Sequence, residues 1–388
     1  MELILKQYDI PLLRFSATND SSTPEIEVHW INEDQRHLLP LDMELSPEGI
    51  SRWMRRRTIP RNRAYVNRLL AKCGLNANRP MGILALCKGL SVDDSYWVVE
   101  EGFEGTFEKY NLFENRFSEV LALIAFTGYG SSNRSSLASS PEFTTNGMLP
   151  KCWRRISGEV TLYKGGTDGG YNTGAEPYCE YYAAQVAAAM GIDAIPYGLS
   201  QWKGRLCSTC ELFTDIDHAY MPIGNLVQRG GFDAVAAYYE KLGEPFQKAF
   251  RDMLVFDAVI CNTDRHYGNF GFIIDNKTNT IAAPTPLFDH GNSLFNQAGP
   301  EDYKSAEAFQ QYIDTLVPCV YDDFFATAKR FMTDENREQL RKLLGFRFKR
   351  HVRYNLPPKR LKLMEEQVQK RAMRLLEREL ENANISHI

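Results

Sequence analysis

A polar cluster set at the end of an apolar helix constrains this chain more than any other feature. From Arg251 onward, Met253, Leu254, Phe256, Val259 and Ile260 recur mostly at three- and four-residue intervals, which predicts a buried helix. That helix runs directly into CNTDRHYGNFGF, Cys261 to Phe272, which places Asp264, His266 and Asn269 within six residues. Phe270 to Asp275 and Thr280 to Ala283 read as short strands, and Asn276 to Asn279 between them as the turn of a hairpin. The hairpin returns the chain to LFDHG, so Asp289 should come back beside Asp264 and Asn269. Taken singly, DRHYGN and FDHGNS are routine surface turns, since Asp, Asn and Gly all suit tight polar loops. Their order, with a hairpin between them, favours a convergence of two carboxylates and a carboxamide.

Hard divalent cations such as Mg²⁺ take oxygen ligands and keep phosphate oxygens in their shell, so this donor set suits a metal-bound nucleotide. Phosphoryl transfer needs one carboxylate to receive the proton of the attacking hydroxyl and another to hold the metal against the phosphates. In protein kinases the catalytic Asp precedes a metal-binding Asn by five positions, and a second metal-binding Asp follows in an Asp-Phe-Gly sequence. Here Asp264 and Asn269 have that spacing, and Asp289 is followed by His290 and Gly291, which departs at the middle position.

Upstream, EVTLYKGG (Glu159 to Gly166) alternates with strand period, GGTDGGYNTG is turn material, and EPYCEYYAAQVAAAMGI is an alanine-rich helix stopped at Gly191. A lysine in a strand pattern is usually solvated, but a kinase needs one to reach the phosphates. Lys164 is the candidate, with Glu180 on the next helix as its ion-pair partner. Neither TTNGMLPK nor GGTDGG has the GxGxxG form of ordinary kinases, although TTNGMLPK precedes the Lys164 strand as a phosphate-covering loop should.

A chain of 388 residues exceeds one ordinary core. With 44% apolar and 24% charged residues it reads as a globular protein, and 45 Lys plus Arg against 49 Asp plus Glu leaves no footprint for direct nucleic-acid or membrane binding. MELILKQYDI has no leader pattern, and no run approaches the roughly 20 apolar residues of a membrane span, so a cytoplasmic location is expected. The eight cysteines are scattered, several in apolar segments, and read as reduced core thiols, the lone CxxC of Cys207 and Cys210 included. RWMRRRTIPRNRAYVNRLLAKCGL reads as a basic amphipathic segment broken at Pro60, with Leu69 and Leu70 inward and its basic face solvated. GYGSSNRSSLASSPEFTTNGMLP, Gly128 to Pro150, has few large apolar residues and reads as a linker or a mobile functional loop. Beyond Asp322 the pattern is helical, with Pro357 and Pro358 breaking it before a final basic helix.

The motifs NTDRHYGNFGF, PLFDHGNSLF, TLYKGG and EPYCEYYAAQVAAAMGI resemble the HipA-like serine/threonine kinases, a family with a divergent protein-kinase-like fold related to phosphoinositide kinases. The resemblance covers roughly residues 125 to 345, and LLPLDMELSPEGISRWMRRRTIP is more loosely similar to the family's small N-terminal subdomain. It implies an α+β, two-lobed kinase-like fold with a small N-terminal α/β subdomain and a mostly helical C-terminal lobe. The expected divisions are an N-terminal subdomain over 1–125, a nucleotide-binding lobe over 126–215 and a helical catalytic lobe over 216–388. It implies ATP and Mg²⁺ as cofactors, Asp264 as catalytic base, Asn269 and Asp289 as metal ligands, and Lys164 and His266 near the nucleotide. The family's phosphate loop, Ser-x-x-Gly-x-x-Pro-Lys, is similar to Thr144–Lys151, which makes Asn146, Gly147, Met148, Leu149, Pro150 and Lys151 nucleotide contacts. Thr144 stands where family members autophosphorylate a serine, and a phosphate there should eject the loop. CELFTD resembles the family's hinge and puts the backbone of Glu211 to Phe213 against adenine.

The expected function is an ATP- and Mg²⁺-dependent serine/threonine protein kinase, with the toxin of a toxin–antitoxin pair among the family's roles. The resemblance implies a translation-related substrate such as an aminoacyl-tRNA synthetase, and a small DNA-binding antitoxin as partner. Two other readings stay open: a phosphoinositide-like or small-molecule kinase, since DRHxxN is similar in both, and a nucleotide-binding regulatory pseudokinase.

Overall fold

The computed structural model describes residues 1–18, 24–130, 140–169 and 172–385, with side chains up to Glu377. Residues 131–139 of the Gly128–Pro150 stretch, and Gly170 and Tyr171 of the glycine-rich turn, lie outside the described residues. The architecture is mixed α and β, with antiparallel strand pairs. The chain divides into two compact units. One comprises Met1–Lys164, Glu211–Met221 and Phe272–Ala282, and the other Gly165–Cys210, Pro222–Gly271 and Ala283–Ile388. The first unit thus runs on to Lys164 and takes in two short downstream segments.

In the first unit Glu2–Gln7, Ile10–Ala17, Ile26–Ile31 and Tyr96–Glu100 form a four-stranded antiparallel sheet with Glu2–Gln7 and Ile10–Ala17 inside. Alternation along ELILKQ turns Leu3 and Leu5 inward, opposite Phe15 and Leu13. These meet Ile50, Trp53 and Met54 of the Pro47–Arg56 helix in one apolar core. Gly271–Asp275 and Thr280–Pro284 form the expected hairpin, which pairs with His218–Pro222. Its turn is tied to this unit: Asn279 Nδ2 donates to the carbonyls of His37 and Leu39, and Gln7 Nε2 to that of Asn276.

Leu69 and Leu70 are buried as the amphipathic pattern requires, but the basic face is only partly solvated. Arg57 is buried, forks onto both carboxylate oxygens of Asp94 at 2.7 Å, and lies 4.7 Å from the Trp53 ring centre. Arg63 is buried against Glu142. Sequence periodicity cannot anticipate this, since the acids that admit each arginine lie 37 and 79 residues away.

In the second unit the Glu244–Ile260 helix is central and packs against Gly231–Leu242, Phe324–Phe331 and Pro358–Ile385. Ala175–Met190 ends at Gly191, whose φ of +79° provides a left-handed cap. Cys207 and Cys210 sit three apart on the Arg205–Glu211 strand, so their side chains leave opposite faces and cannot share a metal. Neither forms a disulfide. Among the described residues no helix is long and apolar enough to cross a membrane.

Candidate active site

The Glu244–Ile260 helix carries a carboxylate on its otherwise apolar face. Asp257 is fully buried in the last turn, and Cys261 then takes a left-handed φ of +54° that turns the chain out of the helix. The turn closes on itself. Asp264 N–H donates to Asn262 Oδ1 (3.1 Å), His266 N–H to Asp264 C=O (2.8 Å), and Asn269 Nδ2 to Asp264 C=O (3.3 Å). The last bond uses the amide nitrogen of Asn269 and leaves Oδ1 as the acceptor or ligand atom.

Arg265 organises what surrounds this turn. Its side chain is 1% exposed and grips Asp257 through Nε (2.9 Å) and Nη2 (3.0 Å), while Nη1 donates to the carbonyls of Asn269 (3.1 Å) and Phe288 (2.5 Å). One guanidinium therefore binds the helix end, the first turn and the residue before Asp289. Burial lowers the pKa of Arg265, but Asp257 outweighs this and raises it above the usual value, so the group stays charged. Arg265 Nη2 also lies 3.0 Å from His290 Nδ1. Because a guanidinium can only donate, Nδ1 accepts and the His290 proton sits on Nε2, a neutral tautomer. That contact gives a physical reason for histidine in place of the usual phenylalanine: the middle residue of this turn serves as an acceptor for a buried cation.

Further bonds stitch the second turn to the first. Asn292 Nδ2 donates to Asp264 Oδ2 (2.8 Å), and the Asn292 carbonyl accepts from the Thr263 N–H (3.1 Å) and hydroxyl (3.2 Å). Asp289 takes a φ of +56°, a costly conformation for a non-glycine residue, and its N–H donates to the Tyr197 hydroxyl (3.0 Å). Burial, with Glu180 and then other acidic neighbours, pushes the Tyr197 hydroxyl well above the ordinary tyrosine range and keeps it protonated. A Cβ added at Gly291 would sit 3.3 Å from Glu176 Cβ and 3.5 Å from Glu180 Oε1, so the turn lies tight against the Ala175–Met190 helix. Glu180 is fully buried and accepts a hydrogen bond from the Ser208 hydroxyl. His266 is exposed, its Nδ1 accepting from Gly268 N–H.

The first unit holds the other candidates. Lys151 and Lys164 face each other directly in the Lys151–Ile156 and Glu159–Gly165 hairpin, each 7% exposed. Of the two readings of the stretch before Lys151, a linker or a mobile functional loop, burial of its described part speaks against the linker. Ser140, Glu142 and Phe143 are fully buried, and Thr144 is 4% exposed with its hydroxyl donating to Leu90 C=O (3.0 Å). Only Asn146, Gly147 and Met148 are exposed, while Leu149 and Pro150 turn back inward. Gly147 has φ +93°, a backbone conformation that L side chains rarely adopt, which favours glycine at this position. Glu211 ends its strand exposed, Leu212 N–H bonds Val160 C=O (2.9 Å), and Phe213 lies half-buried against Tyr220. Lys164 and Glu180 belong to different units.

The donor set fits the implied metal. Asp289 and Asn269 offer hard oxygen atoms, and among the described residues no group of three or more His, Cys, Asp or Glu side chains could hold a metal alone. A cation there would complete its shell with other oxygens, of water or of a bound phosphate.

Sequence reasoning passed over Asp257, Arg265, His290 and Asn292 as working parts. Asp257 carried a readable signal, an acid in helical phase with Met253 and Ile260 on a buried face.

Comparison with known proteins bears on the fold. The fold is HipA-like: the HipA structure from the Shewanella oneidensis MR-1 complex of HipA, HipB and operator DNA superposes with a TM-score of 0.52. It is 13% identical, and the match covers 96% of this chain and 97% of that one. In sequence the chain is 28% identical over 137 residues to the serine/threonine-protein kinase CtkA of Helicobacter pylori strain J99, a match over 31% of this chain and 41% of that protein. The chain thus matches less than half the length of that relative. The CtkA crystal structure gives a TM-score of 0.45 at 15% identity over 60% of this chain and 95% of that one. No family model matches. The resemblance to the HipA-like kinases accordingly rests on one stretch of sequence and on a fold shared over nearly the whole chain.

Proposed function

We propose that this protein is an ATP- and Mg²⁺-dependent kinase of the HipA type that phosphorylates serine or threonine hydroxyls of a protein, using a two-lobed kinase-like arrangement. The observation that carries the proposal is Arg265, which hydrogen-bonds the carbonyls of Asn269 and Phe288 and so holds the Asp264 turn and the Asp289 turn in one knot. In this reading Asp264 Oδ1 accepts the hydroxyl proton while Asn292 fixes Oδ2. Asn269 and Asp289 hold the metal, which when bound neutralises charge developing on the transferring phosphoryl group. Lys151 and Lys164 draw the phosphates, the backbone of Glu211 to Phe213 meets adenine, and His266 lies close to the nucleotide.

The resemblance to HipA supports a role as toxin with a small DNA-binding antitoxin partner, and a translation component such as an aminoacyl-tRNA synthetase as substrate. Autophosphorylation at Thr144 would require its hydroxyl to leave Leu90 first. The test is to incubate purified protein with ATP and Mg²⁺ and locate added phosphate by mass spectrometry, on itself and across a cell extract, with a lipid pool in parallel. Phosphate on protein that disappears in Asp264→Ala supports the proposal. Phosphate only on lipid favours the lipid-kinase alternative, and ATP binding without any transfer favours a regulatory pseudokinase.

A further inference from the structure

We infer that Arg63 and Glu142 form a latch that positions the phosphate loop Thr144–Lys151, which gives the segment after Pro60 a role in nucleotide use; the inference rests on the nucleotide-binding reading above. Both side chains are 0% exposed. Every hydrogen bond of the Arg63 guanidinium goes to the neck of the loop. Nη1 donates to the carbonyls of Glu142 (2.5 Å) and Thr145 (3.4 Å), and Nη2 to Glu142 Oε2 (2.5 Å) and the carbonyl of Lys151 (2.8 Å). One fork therefore spans both ends of the loop, including the backbone of the lysine proposed to meet phosphate. Glu142 completes the closure, since its Oε1 accepts from Trp153 N–H (2.8 Å) on the strand that Lys151 begins. The neighbouring residue reaches the tip: Ala64 N–H donates to the Met148 carbonyl (2.9 Å).

A buried ion pair that serves stability alone is commonly replaceable by uncharged residues of similar volume at little cost. Replacing a positioning pair can leave stability as little changed, but it costs order in the loop, because the loop carbonyls lose the fork that aligns them. This difference supplies the test. Arg63→Met combined with Glu142→Gln removes both charges, leaves no unpaired buried ion and keeps an acceptor for Trp153 N–H. The full chain carrying both changes should melt like the wild type, show faster hydrogen exchange over residues 144–151, and raise the KM for ATP about tenfold with kcat changed less than about twofold. Arg63→Lys, which keeps the charge but loses the fork, should fall between the two in exchange and in KM, and it decides the matter should the double variant fail to fold. Wild-type exchange over 144–151 in the folded double variant, or in Arg63→Lys, overturns the latch. The exchange measurement is made without nucleotide. Faster exchange in a protein whose wild type binds no MgATP therefore upholds the latch and removes the kinase reading.

Discussion

In the second unit Arg265 grips Asp257, eight residues earlier in the chain, and in the first unit Arg63 grips Glu142, 79 residues later. Both pairs are almost completely buried, and both fork onto loop carbonyls as well as a carboxylate. They differ in how fully the guanidinium is satisfied. Arg265 uses Nε, Nη1 and Nη2, whereas Arg63 Nε has no hydrogen-bond partner among the described residues. They differ also in how they form. The short-range pair can assemble as the Glu244–Ile260 helix ends, while the long-range pair must close a large loop first, and loop closure carries an entropic cost that grows with length. The comparison teaches that one chemical device can be local and written into a motif, or distant and dependent on the finished fold.

The largest expected effect breaks the comparison at its base. Replacing Arg265 with alanine strands Asp257 in the interior and should cost about 3–5 kcal/mol in urea unfolding, with lost amide protection in the second unit. Arg63→Ala should cost less within that range and lose protection in the first unit. The reverse order, or loss in the same unit for both, would remove the distinction. Next in size, Asp264→Ala should lower phosphoryl transfer by about 10²- to 10⁴-fold while leaving MgATP binding in place, and Asp289→Ala should weaken that binding as well. Full activity in both variants would refute the assigned roles.

A smaller effect concerns charge strain in the first unit. Burial, with the Asp94 carboxylate beside it, raises Asp93 to about 6. A carboxyl whose folded pKa is raised contributes stability that is fully present below its unfolded value, near 4, and lost as pH rises through about 6. Asp93→Asn should therefore add about 2 kcal/mol at pH 7 and flatten the decline in stability between about pH 4 and 6, read by urea titration at each pH. An unchanged pH profile would assign that strain elsewhere. Smallest of all, Asn292→Ala removes the bond that fixes Asp264 Oδ2 and should cost about 1 kcal/mol in transition-state stabilisation, roughly fivefold in kcat. A change in KM alone would show that Asn292 serves binding instead.

Several features are legible in the order of residues alone. The helix into Asn262, the hairpin around Asn276 to Asn279, the strand bearing Lys164 and the helix stopped at Gly191 all form, because each rests on local period and local turn chemistry. The Gly128–Pro150 stretch is misleading over its described residues. Its polar composition hides Glu142, which is buried only because Arg63 meets it there. In the same way the basic segment around Pro60 reads as solvated because neither Asp94 nor Glu142 is near it in sequence.

The sequence alone determined which residues could do chemistry and in what order they occur, since spacing, strand period and helix phase are properties of neighbours along the chain. Only the tertiary structure decided that Arg265 ties two turns together, that His290 is a neutral acceptor and that Arg63 spans the neck of a loop. A charged side chain is buried only when distant groups supply its hydrogen bonds, and those partners are fixed by folding rather than by proximity along the chain.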